Sequence, residues 1–145
     1  MNKKQKIRVF FNASVILAGL RSPKGASGRL LSWIKQQKIT GVISEIVWNE
    51  VLRNAHNLNL SQEDTKRWME KHLLIITAPE QSKFAPYENM VVDAGDVHLF
   101  VSTEESKSDY LVSLDKKHVL TLREQITLFR IISPGELIEG VRLEE

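Results

Sequence analysis

The sequence predicts an α/β protein with three α/β/α layers, in which helices cover both faces of a mainly parallel central sheet. Short apolar segments alternate along the chain with longer segments of helical periodicity. The apolar segments are apolar throughout, which is typical of strands buried on both faces of a parallel sheet. Ligands of such folds bind beyond the carboxyl ends of the strands, so polar residues at those positions are candidates for a functional site.

Each of five short apolar runs predicts a strand, because it is rich in Val, Ile, Leu, Phe or Tyr and is too short for a helix. The first run, IRVFF, combines β-branched and aromatic side chains. In chain order, the predicted strands are 7–11, 41–43, 73–77, 110–114 and 129–132.

Helices are predicted between these strands, where apolar residues recur every three or four positions. A serine precedes several of them and can cap the first turn through its hydroxyl oxygen. Proline-containing segments at 21–27 and 78–90 predict a loop and an irregular connection. The predicted helices and expected caps are 27–37 (Ser27), 44–55 (Ser44), 61–72 (Ser61), 95–105, 116–122 and a short last helix with Pro134 at its first position behind Ser133.

The composition is that of a globular domain. Of 145 residues, 42% are hydrophobic and 26% charged, and we expect one domain over 1–145 with its core at about 7–138. The chain has no cysteine, which excludes a disulfide scaffold, a zinc–thiolate site and a cysteine nucleophile and is compatible with the cytoplasm, where we expect the protein. The net charge of +2 is too small to indicate a nucleic-acid partner by itself.

We expect no membrane partner and no signal peptide. No apolar run is long enough to span a bilayer. The start of the chain is basic, but the apolar segment that follows is short and contains Asn12.

Polar residues directly follow two predicted strands. Asn12 comes after the strand at 7–11, and Asp115 comes after the strand at 110–114. Both positions lie at the edge of the sheet where a site is expected. An Asp at a strand end is also common as a turn or capping residue, so this alternative stays open for Asp115.

Glu50 lies within the apolar stripe of the predicted helix 44–55. A carboxylate on a buried face costs free energy unless it is paired or bound to a metal. The alternative for Glu50 is a solvated side chain, as we expect for Glu45.

Asp93 and Asp96 lie at the start of the predicted helix 95–105, where the helix dipole favours a carboxylate. Only one of them can cap the helix, which leaves the other free for chemistry. If Glu50, Asp96 and Asp115 converge, their charges repel unless a cation joins them, and oxygen ligands select Mg²⁺ or Mn²⁺. Such ions activate water and stabilise charge on a scissile phosphate.

The segment 93–118 begins with an acid-led helix and continues through a small polar stretch to a strand that ends in Ser113-Leu114-Asp115. This order resembles the PIN-domain family, in particular the toxin-like branch of prokaryotic toxin–antitoxin pairs (VapC-type proteins). The similarity runs from about Ile7 to Ile138. Other segments that resemble family motifs are 12–14 (Asn-Ala-Ser), Ser44 with Glu50, and 133–137.

The resemblance implies a metal-dependent endoribonuclease with Mg²⁺ or Mn²⁺ as cofactor. It implies RNA as substrate, a cognate antitoxin that blocks the cleft as partner, and a homodimer, since relatives commonly form one. Carried over by position, the catalytic and metal-site residues are Asn12, Glu50, Asp96 and Asp115, and the supporting polar residues are Ser14, Ser113 and Asp93.

The chain departs from the family at Asn12, where the family has Asp. Asn still offers a carbonyl oxygen but no charge, so metal affinity and water activation should fall. Either an engineered change has disarmed the nuclease, or the protein is a non-catalytic PIN-like domain that binds RNA or a protein partner; the three remaining acids favour the first explanation. Lys117 also stands where many relatives have a further Asp.

Cationic residues flank the expected site on both sides. They are candidate contacts for RNA phosphates, with solvated surface as the alternative. The four histidines show no metal-ligand spacing, so we expect no zinc site. The candidate RNA contacts are Arg21, Lys24 and Arg29 after the first strand and Lys116, Lys117 and His118 after Asp115.

Overall fold

Five strands form the central sheet in the order β3-β2-β1-β4-β5, and all four neighbouring pairs are parallel. The structure, a computed structural model, describes residues 6–91 and 93–141. The predicted α/β/α class is confirmed, and within the described residues the sheet is entirely parallel. The strands are β1 (Arg8–Phe11), β2 (Thr40–Ser44), β3 (Leu74–Ile76), β4 (Tyr110–Val112) and β5 (Arg130–Ile132).

Seven α-helices and four 3₁₀ helices lie in the described part of the chain. No helix there has both the length and the hydropathy needed to cross a bilayer. The α-helices are α1 (Ala13–Arg21), α2 (Ala26–Lys35), α3 (Glu45–Ala55), α4 (Gln62–His72), α5 (Ala85–Glu88), α6 (Val97–Glu105) and α7 (Pro134–Gly140); the 3₁₀ helices are His56–Leu58, Gln81–Lys83, Ala94–Asp96 and Leu120–Leu122.

The chain reverses its direction across the sheet after β3. It runs outward from β1 to β2 and β3, then returns to the other side of β1 for β4 and β5. Parallel crossovers are right-handed, so the connecting helices before and after this reversal cover opposite faces. Accordingly, α1 packs against α2 and α3, whereas α5 packs against α6. Helix α7, which follows β5, returns to the first face and packs against α2. The switch point is the crevice at the carboxyl ends of β1 and β4.

Strand β1 lies at the centre of the core because it is paired on both sides and covered on both faces. Val9, Phe10 and Phe11 are fully buried, which explains the uniformly apolar sequence of this strand. At one edge of the sheet, β3 exposes Leu74 and Ile75.

Helix α1 was not predicted. It begins directly after Asn12, which occupies the N-cap position without a capping hydrogen bond from its side chain. Most of its residues are apolar, and five of the nine are buried. The segment has no clear polar face to mark it as a helix, and its N-cap residue Asn12 was assigned to the candidate site instead of to a cap.

The predicted capping residue of α2 was wrong. The N-cap is Gly25, and Ser27 lies buried inside the first turn. The helix starts early because its first turn packs on the preceding loop: the backbone of Pro23 lies so close to Gly28 that a Cβ there would overlap it. The expected caps Ser44, Ser61 and Ser133 are confirmed, since each hydroxyl oxygen accepts a backbone N–H of its helix.

The predicted helix at 116–122 was wrong over most of its length, where the structure has turns and only the 3₁₀ helix Leu120–Leu122. Asp115 Oδ1 accepts the backbone N–H groups of Lys117 and His118. An N-cap side chain takes the same donors at the start of a helix, but here the chain continues in turns, and the backbone N–H of Leu120 bonds the carbonyl of Asp115 at 2.9 Å. The connection at 78–90 contains the 3₁₀ helix Gln81–Lys83 and the single helical turn α5.

Candidate functional site

The carboxyl ends of β1 and β4 are joined by side-chain hydrogen bonds. Asn12 Nδ2 donates to Ser113 Oγ at 2.9 Å, and the same oxygen accepts the backbone N–H of Asp115 at 3.0 Å. Ser113 is completely buried. It therefore fixes Asn12 and the backbone of Asp115 next to each other, at the switch point of the sheet.

Asp115 combines a turn with a position at this edge. Its Oδ1 accepts the N–H of Lys117 at 3.1 Å and of His118 at 2.9 Å. Its Oδ2 lies 3.3 Å from His118 Nδ1, and 34% of the side chain remains exposed. The turn role is therefore real, and the carboxylate still reaches the surface of the crevice.

Asp93 and Asp96 divide the two roles expected at their helix start. Asp93 Oδ1 accepts the N–H of Gly95 at 2.8 Å and so caps the 3₁₀ helix Ala94–Asp96. Asp96 stands at the N-cap of α6, but its side chain makes no capping hydrogen bond. Asp96 is the acid that remains free.

Ligand atoms of Asp93, Asp96 and His118 lie within 4.8 Å of one another. Burial raises the pKa of Asp96 above its ordinary value, and the nearby carboxylates of Asp93 and Asp115 raise it further, while His98 and His118 oppose them. A cation would relieve this repulsion, and two carboxylates with one imidazole are suitable ligands for a divalent metal. The residues present thus fit such an ion.

Glu50 is held by a histidine. Its Oε1 lies 3.2 Å from His98 Nε2, and its side chain is 31% exposed. His98 is two residues after Asp96 on α6, so the structure connects Glu50 to the acidic group through this helix. Glu50 is partly exposed, unlike the apolar residues Val47 and Val51 beside it on α3, which are buried.

A cavity of about 840 Å³ lies at the carboxyl edge of the sheet, and its lining contains none of the acids described above. It lies between α1, the start of α2, the end of α3 and the start of α7, and Ser14, Arg21 and Leu114 are among its lining residues. Ser14 Oγ is buried and has no hydrogen-bond partner among residues 6–91 and 93–141. The lining residues Ser14 and Leu114 are close in sequence to Asn12 and Asp115. The cavity wall combines apolar and polar side chains.

The predicted RNA contacts lie on the surface around this region. Arg21 lines the cavity. Lys24, Arg29, Lys116 and Lys117 are exposed, and His118 is half-buried in the acidic group.

His98 and His118 were not predicted as members of the acidic site. Histidines have no metal-ligand spacing among themselves here, but each of these two pairs with a carboxylate. The spacings that could have indicated them are His118 three residues after Asp115 and His98 two after Asp96.

The fold and this site define a parallel α/β domain with an acidic centre at the switch point of its sheet. The chain belongs to the PIN domain family, since the family model for the PIN domain matches residues 8–117.

Two solved structures share the fold. A chain of the toxin–antitoxin complex from Klebsiella pneumoniae is 16% identical with a TM-score of 0.64, over 87% of this chain and 97% of that one. A chain in the crystal structure of VapBC2 from Rickettsia felis, bound to a DNA fragment from their promoter, is 12% identical with a TM-score of 0.61, over 88% of this chain and 98% of that one. No curated protein gives a significant sequence match.

Proposed function

We propose that this protein is a metal-dependent endoribonuclease of the PIN type, the toxin of a toxin–antitoxin pair, with activity reduced or abolished by Asn12. The observation that supports this proposal most directly is the acidic group at the switch point, where ligand atoms of Asp93, Asp96 and His118 lie within 4.8 Å of one another. Burial and then the carboxylates of Asp93 and Asp115 raise the pKa of Asp96. Such a group suits a divalent cation, for which we propose Mg²⁺ or Mn²⁺.

In this proposal Asp96, Asp93 and His118 hold the metal, with Asp115, Glu50 and Asn12 around it. A bound divalent ion supplies an activated water and neutralises charge on the scissile phosphate. Ser113 orients Asn12 and Asp115 through its two hydrogen bonds. The exposed cations Lys24, Lys116 and Lys117 hold neighbouring RNA phosphates.

The toxin role rests on the family and on the fold shared with chains of toxin–antitoxin complexes. The cavity at the carboxyl edge of the sheet has room for a partner segment or a nucleotide, and its apolar wall suits a protein side chain as well as a base. We further propose that the protein acts in the cytoplasm, as a single domain that forms a homodimer.

The decisive experiment restores the missing acid. We expect little Mn²⁺-dependent cleavage of single-stranded RNA by the chain as it is, and clear cleavage by Asn12→Asp, because the site regains one negative charge. Adding Glu50→Gln to Asn12→Asp should remove the activity again. Cleavage is measured on end-labelled RNAs of varied sequence, with and without EDTA.

Glu63→Gln in the Asn12→Asp background is the matched control, since this side chain is 76% exposed on α4. It should leave cleavage unchanged. Absence of cleavage by Asn12→Asp on every RNA, together with unimproved Mn²⁺ binding, would contradict the nuclease proposal.

One observation favours a second candidate, a non-catalytic PIN-like domain that binds RNA or a protein. Asn12 and Glu50 are each engaged by a neighbouring side chain, and Asp115 Oδ1 by two backbone N–H groups. A site satisfied in this way is stable without metal. RNA or protein binding that Mn²⁺ and Asn12→Asp leave unchanged, with no cleavage, would favour this candidate.

A further inference from the structure

His98 is a buried histidine with one polar contact. It is only 7% exposed, and every residue of α6 from Val97 to Thr103 is buried. Its Nε2 lies 3.2 Å from Glu50 Oε1, while its Nδ1 is buried without a hydrogen-bond partner in the described part of the chain. Leaving a buried polar atom unpaired costs about 1–3 kcal/mol, so an apolar residue would serve packing better here.

The contact with Glu50 bears on which nitrogen of the His98 imidazole carries the proton. His98 Nε2 faces a carboxylate oxygen at 3.2 Å, and because a carboxylate only accepts, this contact favours a proton on Nε2. The ring is buried, as are the neighbouring residues Leu99 and Phe100 of α6. Glu50 therefore faces an imidazole that is enclosed by the fold.

The same contact joins the two sides of the site. Glu50 lies on α3 and His98 on α6, and these helices belong to opposite faces of the sheet. Their 3.2 Å contact therefore crosses the carboxyl edge of the sheet. Because Asp96 is two residues before His98, a fixed His98 sets the distance between the Glu50 carboxylate and Asp96.

We infer that His98 is a positioning residue, which fixes the Glu50 carboxylate beside the acidic group and so tightens the metal site. The inference rests on the proposed function, in that Glu50 and Asp96 serve the same ion. Groups that orient the carboxylates of a metal site typically change metal affinity by about 10–100-fold.

The test replaces His98 in the otherwise unchanged chain and in Asn12→Asp, and measures the Kd for Mn²⁺ by calorimetric titration. His98→Leu should weaken Mn²⁺ binding by about 10-fold or more, because it fills the space without a donor. His98→Gln should restore most of the affinity, because its amide N–H can reach Glu50. In Asn12→Asp, His98→Leu should lower kcat for RNA cleavage and leave KM unchanged.

His56→Leu, a change of an exposed histidine, is the matched control and should leave the Kd for Mn²⁺ unchanged. If His98→Leu does not fold, His98→Asn replaces it, since this amide is too short to reach Glu50. Unchanged Mn²⁺ affinity in a folded Leu or Asn variant overturns the inference, and so does equal weakening by Leu and Gln. If the affinities follow the expected order but no variant cuts RNA, the positioning role stands and the nuclease proposal fails.

Discussion

The hydrogen bond between Asn12 and Ser113 depends on the amide of Asn12. The Nδ2 group donates, and Ser113 Oγ accepts from it and from the N–H of Asp115. An Asp at position 12 cannot donate, but the hydroxyl of Ser113 can rotate and donate to its carboxylate. The contact therefore survives Asn12→Asp with its direction reversed, and the variant should fold normally.

Ser113→Ala should destabilise the protein by about 1–3 kcal/mol, because it leaves the Asn12 amide and the Asp115 N–H without their acceptor beside a buried position. Urea unfolding at neutral pH measures the difference. Ser32→Ala is the control: its hydroxyl accepts from Gln36 in an exposed part of α2, and its loss should cost less than about 0.5 kcal/mol. Equal stabilities of the two variants would contradict the role given to Ser113.

The positions of candidate site residues were predictable where the order of strands and helices alone places them at the carboxyl edge of the sheet. Asn12 and Asp115 follow strands, and Asp96 stands at a helix start where a second acid provides the cap. The contact of His98 with Glu50 was not predictable, because the two residues lie on different helices 48 positions apart in the chain. A contact between distant segments leaves no spacing in the sequence.

At the level of elements, α7 is fixed by a network that extends beyond its own cap. Ser133 and Glu136 form a capping box, in which each side chain bonds the other's backbone N–H. Both carboxylate oxygens of Glu136 also accept from the guanidinium of Arg123, at 2.8 and 3.0 Å. This fork ties the β4–β5 connection to the start of α7.

Glu136→Gln should reveal a stability difference that depends on pH. The hydrogen bonds from the Arg123 guanidinium, followed by those from Ser133, lower the pKa of Glu136 to about 2 from its ordinary value of 4.5. Because this pKa is lower in the folded state, the ionised Glu136 stabilises the fold at pH values above about 4.5. This stabilisation is lost as the pH falls towards about 2. Gln retains the capping box, so only the ion pair is removed.

Because the Glu136 side chain is 46% exposed, solvent screening limits the effect to about 1 kcal/mol or less at pH 7. Chemical denaturation at a series of pH values measures it against Glu139→Gln, a change on the same helix. The difference in the free energy of unfolding between the native chain and Glu136→Gln should disappear as the pH falls from about 5 to about 2. A difference in the free energy of unfolding that stays constant with pH would exclude the ion pair as its cause.

Elements with a local signal were predicted, and those shaped by distant contacts were not. Three serine caps marked the starts of α3, α4 and α7. Helix α1 was missed because packing on both α2 and α3 makes it apolar around most of its surface. The segment 116–122 is an exception: it has helical periodicity, and Asp115 accepts first-turn N–H groups as an N-cap residue would, but turns extend to the 3₁₀ helix Leu120–Leu122.

At the level of the whole molecule, the proposed metal should couple to folding. Its ligands come from the start of α6 and from the turn after β4, which meet only in the native state. A ligand bound only by the native state stabilises it by about 2.7 kcal/mol at 100 times its Kd. We therefore expect Mn²⁺ to raise Tm and EDTA to reverse the change.

Asn12→Asp should enlarge the difference in Tm between the metal-free and the Mn²⁺-bound protein. Without metal, a further carboxylate near Asp96 and Asp115 should lower Tm by repulsion; with saturating Mn²⁺, the added ligand charge should recover that loss. Thermal unfolding of the native chain and of Asn12→Asp, each with and without Mn²⁺, gives the four Tm values needed. If Mn²⁺ raises Tm by the same amount in both proteins, the ion binds away from position 12.

The hydrogen bond from Asn12 to Ser113 also bears on how the protein is made, because these residues are 101 positions apart. Strand β1 is synthesised before its partner β4, which emerges from the ribosome only after β2, β3 and the helices between them. Asn12, Asp96 and Asp115 therefore cannot meet on a growing or truncated chain that lacks β4. If the proposed nuclease is toxic, a nascent chain remains harmless until β4 has been synthesised.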